Sequence, residues 1–155
     1  MSVFPVGEEK AMSEYLLKVL EGLHTEDIYK WWDGGIHEGL FEQSGFFNNT
    51  PLANLIEKIM VQDFPKGPQR KIVVGAVDIN SGSFVTFTEK DYPDKLVQGV
   101  VSSASIPFIF PHRLIDDYVL MDGGTVWNTN IISAIDRCRE QVDDDSQIVL
   151  DILMC

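Results

Sequence analysis

"KIVVGAVDINSGSFVTFTE", residues 71 to 89, decides the fold class. Lys71 to Ile79 is β-branched and apolar on both sides, the pattern of a strand inside a sheet rather than one with a wet face. Asn80-Ser81-Gly82 places glycine where a turn wants a positive φ, and the alternating "SFVTFT" returns as the second strand of a hairpin. Upstream, Ala11, Tyr15, Leu16, Val19, Leu20 and Leu23 recur at helical spacing, which predicts a helix over residues 8–23. Thr25 is expected to cap a short helix through Trp31, and residues 32–49 read as a loop. Thr50-Pro51 opens a helix with Leu52, Leu55, Ile56, Ile59 and Met60 on one face. Downstream come a small-residue helix over 94–105, a strand over 118–121, a helix over 130–142 and a last strand over 147–154. Helices and strands interleave, so the expectation is a layered α/β fold, its sheet mixed because of the hairpin.

Composition narrows the function classes. The 155 residues amount to one ordinary domain, and 45% hydrophobic with 23% charged residues is a globular rather than a disordered balance. A net charge of -12 repels nucleic acid and anionic bilayers, so no nucleic-acid partner is expected. Cys138 and Cys155 read as free thiols of a reducing compartment. No apolar run approaches the ~20 residues of a membrane helix, and no basic segment precedes an apolar one at the N-terminus. The expected location is therefore intracellular, cytoplasmic or peripheral at a membrane. The acidic stretch "EQVDDDSQ", 140–147, lacks the oxygen spacing of a calcium loop, and neither a metal nor a cofactor is expected.

Asp-Gly-Gly occurs twice, at 33–35 and at 122–124. Asp33 follows Trp31-Trp32 where glycines would stop a helix and turn the chain, a structural role. Asp122 ends an apolar strand, and the carboxyl ends of strands in α/β sheets are where sites form. A carboxylate there, uncrowded by the next two residues, can accept a proton from a serine hydroxyl. The run "SSASIPFIFPHRLIDDYVLMDGGTVWNTNIISAI", 102–135, resembles the second half of the patatin-like phospholipase family. Pro107 and Phe110-Pro111 match the family's segment before the strand; Asp122, Gly123, Gly124 and Asn128 match its Asp-Gly-Gly turn and following asparagine. The hairpin at 71–89 is similar to the strand-turn-strand that precedes them. Asn130, where a proline is common, and the bulky Trp127 depart from the pattern.

The resemblance implies a patatin-like, α/β-hydrolase-related sheet with flanking helices, and hydrolysis of phospholipid or galactolipid acyl esters by a Ser-Asp dyad. Asp122 would be the dyad's acid/base, on the supporting turn of Gly123, Gly124 and Asn128. Its partner is missing: no G-x-S-x-G and no glycine-rich oxyanion loop occur in residues 1–155. Ser102, Ser103 and Ser105 lie at a helix end, where capping and packing explain them. His24, His37 and His112 are scattered without triad spacing. The chain is therefore expected to be a single partial domain over 1–155, incomplete at its N-terminal side and inactive alone. A preceding segment or a protein partner would cover the sheet, and the substrate, once completed, would be a lipid or acyl ester. The alternative is a non-catalytic structural or lipid-binding subunit of a larger assembly derived from that family.

Overall fold

The strand at the heart of the sheet is β3 (Val73–Asp78), as its two-sided apolar character requires. The computed structural model describes residues 2–153. On one flank of β3 lies β4 (Phe84–Thr88), closing the expected hairpin with Val77 opposite Phe84 and Gly82 at φ 72°. On its other flank lies β6 (Tyr118–Asp122), and beyond that β5 (Arg113–Ile115). The sheet order is β4-β3-β6-β5. Every pairing in it is antiparallel, so the sheet is not mixed: each strand reaches its neighbour by a hairpin or returns reversed after a helix.

Alternation along the strands sorts the faces. Ala76, Phe87 and Leu120 point to one face, where Met60, Leu96 and Ile115 complete the buried core. That face is covered by α3 (Thr50–Glu57), which continues as a π-helical turn through Asp63, and by α4 (Asp94–Ser103). Fully burying a leucine such as Leu96 or Leu120 contributes about 1.5–3 kcal/mol. Gly99 of α4 lets the helix approach the sheet: a Cβ there would lie 2.5 Å from the Phe87 ring. The opposite face carries Gly75 under the Phe84 ring, with α5 (Gly124–Trp127) and α6 (Ile131–Arg139) following β6. Arg137 of α6 pairs with Glu89 and Glu140, and Lys71 also pairs with Glu140, fastening the helix to the sheet's end.

The N-terminal half departs further from expectation. Helix α1 (Glu9–Glu21) forms where predicted. The short helix expected from Thr25 to Trp31 is instead a single 3-10 turn, Thr25–Asp27, followed by strand β1 (Lys30–Trp31). The supposed loop holds α2 (Gly35–Phe41) and β2 (Phe47–Asn48), which pairs with β1. Rings decide this: Trp31 and Tyr29 lie 4.5 and 4.8 Å from Phe47 by centroid, cross-strand contacts that outweigh local helix preference. The glycines after Asp33 open a helix rather than end one, with the Gly34 N–H donating to the Glu38 carboxylate at 2.7 Å.

Residues 45–49 are zipped to the segment after α4. Phe46 and Phe47 donate N–H bonds to the carbonyls of Phe108 and Ile109, at 2.8 and 2.9 Å. Gly45 packs so close to Phe110-Pro111 that a Cβ would lie 2.5 Å from that backbone. The last expected strand does not form: a 3-10 turn spans Asp145–Gln147 and residues 148–153 are irregular, while Met154 lies outside the described residues. A strand apolar on both faces needs neighbours on its edges and layers on its faces, and this segment's described part pairs with neither β4 nor β5.

Candidate active site

Asp122 is the last residue of β6, opposite Ala76 of β3. Strand β5 stops short of it, its first residue, Arg113, facing Leu120. The carbonyl of Ser105 takes the place of the missing strand and accepts the Asp122 N–H at 2.9 Å. The chain then leaves the sheet over Gly75. A Cβ on Gly123 would lie 2.5 Å from the Gly75 carbonyl oxygen, so only glycine fits that crossing. The Gly124 N–H donates to Asp122 Oδ1 at 2.7 Å, and the Thr125 hydroxyl donates to the Asp122 carbonyl at 2.8 Å. These bonds fix the carboxylate at the start of α5.

Asn128 comes back over the same turn. Its Oδ1 and Asp122 Oδ1 lie 2.9 and 3.0 Å from where a Gly124 Cβ would stand. Asp122, Gly123, Gly124 and Asn128 are thus one unit around an open cleft of about 290 Å³. Gly75, Phe84, Ser103, Trp127 and Asn130 also line it. Trp127 is structural: its ring stacks edge-on against Phe84 with centroids 5.6 Å apart. Asn130 caps α6, accepting the Ser133 N–H at 3.2 Å through a side chain that proline lacks.

The other candidates separate cleanly. The Ser102 and Ser105 hydroxyls are buried and donate to the Gln98 and Val101 carbonyls at 2.9 and 2.8 Å. Ser103 alone of the three faces the Asp122 cleft. His24 caps the 3-10 turn, His37 packs on Phe41, and His112 lines a different cleft with Glu57 and Arg113; none lines that of Asp122. Asp33 precedes α2, apart from the Asp122 cleft. In the acidic stretch, Asp144 accepts the Ser146 N–H and Asp145 pairs with Arg139 at 2.6 Å. Among the described residues no group of three or more His, Cys, Asp or Glu is placed to hold a metal.

Sequence reasoning passed over Asn49 and Arg113. Asn49 is completely buried, donating to Ser105 Oγ at 3.3 Å and accepting from Arg113 through Oδ1. Another carboxylate, the buried Asp78, serves the β3–β4 turn. The Ser81 hydroxyl bound to it, at 2.6 Å, holds its carboxyl below the usual carboxylate range; burial pushes the other way, and the N–H groups of Val119 and Ser81 add to the lowering.

A conserved-pattern description of patatin-like phospholipase matches residues 2–135, most of the length, and the chain belongs to the patatin-like phospholipase family. The α/β layering of helices on small sheets agrees with that membership. No curated protein matches the chain. Among the described residues no helix is long and apolar enough to cross a membrane.

Proposed function

We propose that this chain supplies the aspartate of a serine-aspartate lipid acyl hydrolase, with the serine and the oxyanion donors coming from outside residues 1–155. The observation that carries the proposal is the placing of Asp122: a strand-end carboxylate, fixed by the Gly124 N–H, facing a cleft beside Asn128. In the assembled enzyme the serine hydroxyl attacks the acyl carbonyl of a phospholipid or galactolipid and gives its proton to Asp122. The alcohol leaves as the tetrahedral intermediate collapses, taking a proton back. Water, deprotonated by Asp122, then attacks the acyl-serine; the serine oxygen leaves, takes that proton from Asp122, and the fatty acid is released. One oxygen of Asp122 is engaged by the Gly124 N–H, which leaves the other for the proton.

On this reading residues 1–155 form one partial domain, and a preceding segment or a partner chain carries the nucleophile. Hydrolysis by the chain alone is then undetectable, since loss of the nucleophile costs about 10⁶-fold in comparable catalytic units. The enzyme would work in the cytoplasm or at a membrane surface, reaching lipid by apolar rather than electrostatic contact because the net charge is -12. A second reading, a non-catalytic structural or lipid-binding subunit, draws on Trp31, Phe41 and Phe108, large side chains left exposed where a partner could cover them.

Labelling with a serine-reactive fluorophosphonate, on the isolated chain and on native material containing it, tests the proposal. The expected result is a labelled serine in the native material outside residues 1–155. Labelling of Ser103 in the isolated chain would overturn the split dyad, and no labelling in either sample would favour the non-catalytic subunit.

A further inference from the structure

We infer that Arg113, Asn49 and Ser105 are positioning residues that hold Asp122 at the rim of its cleft. The inference rests on the reading of Asp122 as the dyad base. The chain of contacts is continuous: Arg113 Nη2 donates to Asn49 Oδ1, Asn49 Nδ2 donates to Ser105 Oγ at 3.3 Å, and the Ser105 carbonyl accepts the Asp122 N–H at 2.9 Å. Its members come from three distant places, the start of α3, the exit of α4 and the first residue of β5.

The topology shows why such a device is needed. Asp122 lies past the end of β5, so on that flank it has no strand to hold it. The Ser105 carbonyl is the substitute, and residue 105 lies just beyond the end of α4, where carbonyls have no intrahelical partner. Ser105 is pinned twice more, through its N–H to the Ser102 carbonyl at 3.0 Å and its hydroxyl to the Val101 carbonyl at 2.8 Å. Asn49 locks that hydroxyl from the opposite side, with both residues fully buried.

Arg113 is the costly member. Burial pushes its guanidinium down, its Nε is buried without a partner, and among the described residues no carboxylate forms an ion pair with it. An apolar side chain would pack there at lower cost, since an uncompensated buried charge is unfavourable. What the cation adds is a charge-assisted bond to Asn49 Oδ1, which polarises the amide toward Ser105. A one-ångström displacement of a reacting carboxylate suffices to slow a reaction by about a hundredfold, so a stiff anchor has a direct kinetic value.

Residue-resolved hydrogen exchange on the full chain, read by fragmentation mass spectrometry at low protein concentration, tests this without any catalysis. In Asn49→Ala and Arg113→Met the Asp122 amide should exchange about tenfold faster, as loss of one net hydrogen bond implies, while the β3–β4 hairpin amides shift far less. Arg113→Lys, which keeps a donor and a charge, should restore slow exchange at Asp122. Ser105→Ala keeps the carbonyl and removes only the hydroxyl; it carries the same expectation with the least disturbance to folding. Unchanged Asp122 exchange, equal acceleration across the sheet, or no rescue by lysine would overturn the inference. A localised effect would stand even if hydrolysis by the assembled enzyme proved indifferent to Asp122, a result that would remove the dyad reading alone.

Discussion

Gly123 shows how single atoms decide this site. Its missing Cβ is what lets the backbone cross 2.5 Å from the Gly75 carbonyl, so Gly123→Ala should displace the turn or cost about 1–3 kcal/mol, as overpacking does. Urea unfolding measures the cost, and an unchanged midpoint would mean that the turn yields freely. Asp78 makes a prediction with a sign. Its folded carboxyl lies below its ordinary value, so its contribution to stability is present above about pH 4 and fades as pH falls through the lowered range. Asp78→Asn should therefore lower the unfolding midpoint near neutral pH, with the difference from wild type closing in acid. Asp122 was legible in the sequence because an apolar strand and two glycines state its position locally. Asn49 and Arg113 were not, because their contacts join residues 56 and 64 positions apart and no local spacing announces such contacts.

At the scale of elements, legibility follows length and period. Strands β3 and β4 and helices α3 and α4 carry enough positions for alternation or helical spacing to show. The two-residue strands β1 and β2 do not, and seven-residue α2 leaves Ile36, Leu40 and Phe41 largely in solvent, so no buried stripe marks it. Strand β5 had a readable sign, Asp116-Asp117 between "RLI" and "YVL", with Asp116 in the left-handed region at φ 52°. The run at 147–154 erred the other way: composition alone promised a strand, and pairing did not follow. Its described part, with Val149 and Leu153 exposed, should be the first site cut in limited proteolysis, ahead of any bond in β3 or β4. Helix α6 makes a further test. Arg137→Met removes its ties to Glu89 and Glu140, and the loss of stability should be larger at neutral pH than in acid, where both carboxylates are protonated.

For the whole molecule, the charge and the apolar surface pull in different directions. A net charge of -12 favours dispersal, yet Trp31, Phe41 and Phe108 stand exposed, with Phe41 and Phe108 at 76% and 77%. The isolated chain should self-associate with rising salt in sedimentation experiments, as screening uncovers the apolar attraction; a strict monomer with a sharp melt would argue that no partner is required. The family and the α/β layering were readable because hairpin, proline segment and Asp-Gly-Gly come in one order along the chain. Which serine would pair with Asp122 was not, because no G-x-S-x-G pattern occurs in residues 1–155. The most direct test of the account is the hydrolysis rate of the assembled enzyme carrying Asp122→Asn. There kcat should fall about 1,000- to 10,000-fold while KM barely moves, the signature of a lost proton acceptor in the transition state. A rate within a few-fold of wild type would contradict it.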